Sequence, residues 1–219
     1  MQFIHTDAAT GIRELSTHLT QLLTEEKHTL WLVPGGSNIP FVIQAMIDIP
    51  EELTKGLTIM LTDERHGPIG HPDSNAQKLQ VAGFNPKRAK FIPVLTGDSL
   101  QETAQKYDAT AGRVFHETDV AVGQFGIGAD GHIAGILPRS PGTSALGELA
   151  VGYEANDHIR LTLTFPALRY IETAYAFVYG DTKREALQRL HDEDIALADQ
   201  PAQILKAIPE AYVYNDQIE

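Results

Sequence analysis

The stretch Val120–Pro138, VAVGQFGIGADGHIAGILP, decides the fold. From about Asp119 to Phe125 it is mostly apolar, with β-branched valines, which predicts a buried strand. The strand breaks at Gly126-Ile127-Gly128, and Asp130, Gly131 and His132 follow at once. Glycines there let the backbone take positive φ and come close to a ligand. An acid and an imidazole two residues apart, just past a buried strand, sit where open α/β sheets carry their chemistry. Alone, the same residues also describe a tight strand-exit turn in which Asp130 bonds its own backbone. The rest of the chain chooses between the two.

Working outward, the preceding segments repeat one pattern. Thr29–Val33 (TLWLV) predicts a buried strand ending in Pro34-Gly35-Gly36-Ser37-Asn38, with a helix from about Pro40 to Ile47. A strand, a Gly-Gly-Ser turn and a helix N-terminus can make an anion site or simply a βα turn that needs two glycines. No Lys-Ser/Thr follows the glycines, so the Walker pattern is absent. Leu57–Thr62 (LTIMLT) predicts a strand running into Asp63-Glu64-Arg65-His66, read as a charged loop at the strand's end. Asp63, His66 and His71 have irregular spacing for a metal site, and no metal is expected. Asp73-Ser74-Asn75 looks like the cap of a helix to about Val81.

The remaining elements follow the same alternation. Met1–Ile4 predicts a short edge strand, and Asp7 caps a helix to about Lys27. Lys90–Pro93 predicts a strand, and Ser99 with Glu102 forms a capping box for a helix to about His116. The tract from Arg139 to Asn156 reads as loop, a candidate lid by length and glycine content. Arg160–Thr164 and Thr173–Tyr179 predict strands, Lys183 to Leu190 and Pro201 to Ala207 helices, and Ala211–Tyr214 the last strand. Alternating strands and helices imply an α/β fold with a mostly parallel sheet covered on both faces. With no repeat or flexible linker, residues 1–219 read as a single domain.

Composition narrows the function. A formal charge of −12 argues against nucleic acid as a partner, which needs a basic face. No apolar run is long enough to span a bilayer, and the first residues lack a basic-then-apolar leader pattern, so no membrane partner is expected. With no cysteine, disulfides, thiolate metal sites and a Cys nucleophile are excluded, in keeping with a cytoplasmic location. An anionic small molecule would need a local cluster of Arg and Lys against the overall field.

In a parallel sheet the carboxyl ends of the strands lie along one edge. Gly35–Ser37, Asp63–Arg65 and Gly126–His132 are therefore expected to meet at one cleft. Gly126–Gly131 also matches G-x-G-x-x-G, but Pro138 cuts short the helix that should follow, and the motif lies outside a first βαβ unit. Nicotinamide binding is discounted.

PGGSNIP, LTDERHGP followed by DSN, GIGADGHIAGILP, RLTLTFPAL and YGDTKREAL followed by PAQIL stand in this order from about Leu30 to the C-terminus. Together they resemble the 6-phosphogluconolactonase and glucosamine-6-phosphate deaminase superfamily. The resemblance implies a three-layer α/β/α sandwich with a Rossmann-like sheet. Where the deaminases carry Asn-Glu-Pro, this chain has Ile136-Leu137-Pro138, and Leu137 cannot move a proton. Arg65 also resembles the lactonase branch. Two departures bear on substrate specificity: His132-Ile133-Ala134-Gly135 stands for the usual His-Thr-Ala-Ser, and Tyr153 to His158 replaces a proline-rich approach to Arg160.

By that resemblance the expected reaction is hydrolysis of 6-phospho-D-glucono-1,5-lactone, a step of the oxidative pentose phosphate pathway. His132 would be the general base, since imidazole titrates near neutral pH. Asp130 would orient it or stabilise its charged form. Gly35, Gly36 and Ser37, with Arg160 and Lys183, would hold the phosphate. Arg65 would face the phosphate, the hydroxyls or the developing oxyanion, and Asp63 would touch the sugar or order its loop. No cofactor is expected, and the assembly expected is a monomer or weak homodimer. The alternatives are a sugar-phosphate deaminase or isomerase, and a non-catalytic sugar-phosphate sensor.

Overall fold

The computed structural model describes residues 1–219. Ten strands and six helices follow in chain order: β1 (Gln2–His5), α1 (Ala8–Thr24), β2 (Thr29–Val33), α2 (Ile39–Asp48), β3 (Leu57–Leu61), β4 (Asp63–Arg65), α3 (Asn75–Val81), β5 (Lys90–Ile92), α4 (Leu100–Glu117), β6 (Val120–Phe125), β7 (Ala150–Glu154), β8 (Ile159–Leu163), α5 (Phe165–Leu168), β9 (Thr173–Val178), α6 (Arg184–Asp192) and β10 (Glu210–Asn215). Seven strands form one sheet in the order β1-β10-β9-β6-β2-β3-β5, and every pairing in it is parallel. The expected α/β fold with a covered, mostly parallel sheet is the one observed.

The central strands are buried on both faces, so they read as near-continuous apolar runs rather than alternations. Trp31, Leu32, Ile59, Val122 and Phe125 are all fully buried. They belong to one cluster of 52 buried hydrophobic residues. Each such Leu, Ile or Phe contributes roughly 1.5–3 kcal/mol of burial free energy. α1 and α2 pack against each other. The right-handed rule for parallel crossovers puts them on one face and α4 and α6 on the other. The sequence signals at the helix starts hold. Asp7 accepts the Thr10 N–H, Ser74 accepts the Gln77 N–H, and Ser99 with Glu102 closes a capping box.

The strand order places the switch point between β2 and β6. From β2 the chain moves outward to β3, and from β6 it moves the other way to β9. The two loops leaving these strands diverge and open a crevice between them. They are the Gly35–Ser37 turn and the Gly126–His132 turn.

Two expectations are corrected. The residues after β3 are not a solvated loop. β4 pairs antiparallel with β8, Asp63 opposite Thr162 and Arg65 opposite Arg160, and Asp63 and Glu64 are buried. Nor is 139–156 a featureless lid. It holds a 3-10 turn at Pro141–Thr143 and then β7, which pairs antiparallel with β8 to complete a three-stranded sheet β4-β8-β7. β7 (AVGYE) has a glycine at its centre and no clean alternation, so period-2 pattern could not reveal it. Its partner strand and α4, against which Leu100 approaches Gly152, supply what its own residues do not. No helix is long and apolar enough to cross a membrane.

Candidate active site

β6 delivers its chain to Gly128, and the next four residues fold back on themselves. Gly128 N–H donates to the His132 carbonyl at 2.9 Å, and Gly131 N–H to the Gly128 carbonyl at 2.9 Å. Inside this tight turn the Asp130 carboxylate accepts twice from His132. The ring Nδ1 lies 2.7 Å from Oδ1, and the backbone N–H donates to the same oxygen at 3.1 Å. A Cβ on Gly128 would stand 2.1 Å from His132 Nδ1 and 2.4 Å from Asp130 Oδ1. Only glycine leaves room for the pair. The turn reading and the site reading of this stretch are therefore the same geometry, because the turn is what joins acid to imidazole.

The electrostatics follow from these contacts. Burial pushes the Asp130 carboxyl up, but the hydrogen bonds and charge of His132 outweigh it and bring its pKa down to about 2. An ionised Asp130 at Nδ1 favours the tautomer of a neutral His132 that keeps its proton on Nδ1 and the Nε2 lone pair free. The His132 side chain is one-third exposed, at 33%.

His132 lines a cleft of about 260 Å³, near the lower end of small-molecule sites at roughly 300–1,000 Å³. Gly35, Gly36, Ser37, Asp63, Arg65, Arg160 and Lys183 line it too. Every predicted contact residue thus shares one cavity, and Asp130 stands behind His132. Gly36 takes φ +62°, the left-handed region that favours glycine. It opens the 3-10 turn that leads into α2, and it and Ser37 are exposed to the cleft. Burial pulls the Lys183 pKa down, opposed by the charge of nearby Asp130.

The two arginines come from the second sheet, not from the edge of the parallel one. Arg65 and Arg160 are cross-strand partners. Like charges directly opposite one another are destabilising unless countered. Arg65 Nη1 donates to the Asp73 carbonyl at 3.2 Å, and its Nε is 3.9 Å from Asp63 Oδ2. Arg160 is 6% exposed and its Nη2 meets Asp157 Oδ2 at 2.6 Å. Both arginines line the cleft, Arg160 nearly buried and Arg65 less so, and the guanidinium fork suits multiply charged anions.

Several supporting residues carry no signal that pattern reading detects. Asn75, which the sequence marks only as part of a helix cap, is fully buried. Its Nδ2 donates to the Asp63 carbonyl at 3.0 Å and to Asp63 Oδ2 at 3.2 Å. Glu64 points the other way along β4. Its carboxylate accepts from Arg65 N, Ser74 Oγ, Asn75 N and Ala76 N, at 2.6–3.0 Å. Strand alternation thus sends Asp63 and Arg65 to the cleft and Glu64 to the start of α3. Asn38 Nδ2 donates to the Phe177 carbonyl and ties the Gly-rich turn to β9. Tyr153 of β7 reaches the loop after His132: its hydroxyl donates to the Gly135 carbonyl at 2.5 Å and accepts from Leu137 N–H at 3.3 Å. His66 and His71 turn elsewhere. Their Nε2 atoms meet the Asp98 carbonyl at 3.1 Å and the Arg65 carbonyl at 2.9 Å. No group of three or more potential metal ligands comes together.

Known proteins resemble this chain throughout. It is 28% identical over 184 residues to a 6-phosphogluconolactonase of Pseudomonas aeruginosa, covering 80% of this chain and 76% of that one. It is 23% identical over 215 residues to a 6-phosphogluconolactonase of Synechocystis, covering 93% and 88%. The crystal structure of a 6-phosphogluconolactonase from Thermotoga maritima superposes with a TM-score of 0.81 over 98% of this chain and 97% of that one, at 20% identity. The family model described as glucosamine-6-phosphate isomerases/6-phosphogluconolactonase matches residues 6–213. With its Asp130–His132 turn at the switch point of a parallel sheet, this chain belongs to the glucosamine-6-phosphate isomerase/6-phosphogluconolactonase family.

Proposed function

We propose that this chain hydrolyses 6-phospho-D-glucono-1,5-lactone to 6-phospho-D-gluconate, in the cytoplasm. The observation that carries the proposal is the Asp130–His132 pair facing a cleft lined by Ser37, Arg65, Arg160 and Lys183. It is supported by the names of the relatives, which are lactonases. Leu137 stands where the deaminase branch has its glutamate, which counts against ring-opening chemistry.

Hydrolysis adds water to the lactone carbonyl carbon and breaks its bond to the ring oxygen. His132 Nε2 takes a proton from the attacking water as its oxygen bonds to carbon. Asp130 holds Nδ1 and stabilises the imidazolium that forms. The imidazolium then gives the proton to the departing ring oxygen, which becomes the sugar's 5-hydroxyl. The new carboxylic acid ionises and releases one proton to solvent. Gly36, Ser37, Arg160 and Lys183 hold the phosphate at one end of the cleft, so the carbonyl is presented to His132 in one register. Gly35 shapes the turn that carries Gly36 and Ser37. Arg65 lies beside Arg160 and shares the anionic load, and Asp63 accepts from a sugar hydroxyl.

The test offers freshly made phosphogluconolactone and glucosamine 6-phosphate in separate assays. Acid release from the first above its spontaneous rate, with no ammonia from the second, is the expected result. Ammonia without acid release would replace this function with a deaminase, and binding without turnover of either would replace it with a sensor.

A further inference from the structure

Arg160 is buried, yet its partner is not in the cleft. Its Nη2 is taken by Asp157, which lies at the tip of the β7–β8 hairpin and outside the cleft lining. The hairpin is closed by Ala155 N–H donating to the His158 carbonyl at 3.0 Å. The Arg160 Nε is buried without any partner. Only Nη2 is bonded within the protein, so one corner of the guanidinium is anchored and the others have no protein acceptor, while the residue lines the cleft. On its other side stands Arg65, its cross-strand neighbour of like charge.

We propose that Asp157 is a positioning residue for the anion grip, a refinement that rests on reading the cleft as a phosphate site. Asp157 holds the roll of the Arg160 guanidinium from outside the cleft lining and offsets its charge where Arg65 stands opposite in register. The guanidinium of this cleft-lining residue is thereby fixed before any ligand arrives. Pre-orientation of this kind strengthens binding by lowering what must be ordered when the ligand enters. A ligand with a dianionic end then meets an Arg160 already oriented, with Arg65 lining the same cleft from the facing strand position. The opposite role, in which Asp157 competes with the ligand for Arg160, predicts the opposite sign of effect.

The experiment titrates the full-length protein with inorganic phosphate, followed by calorimetry or phosphorus NMR, and needs no lactone. Asp157→Ala is expected to weaken phosphate binding about 5-fold, the scale of an exposed ion pair. Asp157→Asn, which keeps an oxygen for Nη2, should stay within about 2-fold of the unaltered protein. In turnover of the lactone, the effect of Asp157→Ala should fall on KM rather than on kcat. Unchanged or tighter phosphate binding in Asp157→Ala would overturn the proposal while leaving the lactonase function standing. Lack of phosphate binding by the unaltered protein would remove the anion grip itself, and this refinement with it. Thermal unfolding of both variants checks that the half-exposed side chain at 157 is not needed for folding.

Discussion

In the proposed hydrolysis His132 draws on two things, the carboxylate at its Nδ1 and the cleft that its ring lines. Replacing His132 by Ala removes the proposed base and should lower lactone turnover at least ~10-fold, and up to ~10⁴-fold. Asp130→Asn keeps the shape but lets the ring adopt the other tautomer, with Nε2 protonated, and should also cost at least ~10-fold in kcat. Steady-state rates, corrected for spontaneous hydrolysis, decide both. Because the Asp130 pKa is lowered from 3.8 to about 2, its pairing stabilises the folded protein above about pH 4 and that contribution is lost as the pH falls toward 2. An acid limb of activity above pH 4 therefore belongs to other groups, and in Asp130→Asn it should shift rather than vanish. At this scale the sequence was informative: Ser37, Asp63, Arg65, His132, Arg160 and Lys183 line one cleft, with Asp130 bonded to His132, while the two arginines reach it from the second sheet. The 2.7 Å bond of Asp130 to His132 is local, two residues apart, so nearby chemistry sufficed to anticipate it.

Elements explain what holds the grip in place. Glu64 links β4 to the first turn of α3 by accepting four hydrogen bonds while wholly buried. Glu64→Gln turns one acceptor oxygen into a donor facing donors, and should destabilise the fold by about 1–3 kcal/mol. Urea unfolding measures it, and a change below about 0.5 kcal/mol would show that α3 does not depend on this carboxylate. His18 of α1 packs against β9, its Nδ1 3.1 Å from the Tyr175 hydroxyl. Burial lowers the His18 pKa, with Glu210 and Glu25 opposing. The unfolded chain therefore takes up this proton first as pH falls below about 6.5, so this site's contribution lowers stability with decreasing pH in that range. His18→Gln should flatten the loss of melting temperature between about pH 7.5 and 5.5, and an unaltered slope would assign that loss to other histidines. Helix caps such as Asp7, Ser74 and Ser99 were legible because a cap is a contact within four residues. β4 and β7 were not, because each is a strand only through β8, and a strand's partner is not written in its own residues.

For the molecule as a whole, one apolar cluster runs through the parallel sheet and into the second sheet, where it includes Ala150, Leu161 and Leu163. We expect residues 1–219 to unfold as one cooperative unit. Trp31 is the sole tryptophan, fully buried in β2, so its fluorescence reports on the centre of the large sheet. Its denaturation curve should coincide with that of far-ultraviolet circular dichroism. Two separated transitions would mean that β4-β8-β7 folds independently. Alternation of strands and helices, apolar runs without polar interruption and glycine turns at strand ends were enough to determine the α/β class and the meeting of the Gly35–Ser37 and Gly126–His132 turns. Those are properties of short segments and of a sheet geometry that puts all strand ends on one edge. The second sheet, the pairing of Arg65 with Arg160 and the support of the His132 loop by Tyr153 were decided by tertiary structure alone. Each depends on which residue of one segment lies opposite which residue of another. That register is set by packing over the whole core, and no single stretch of sequence contains it.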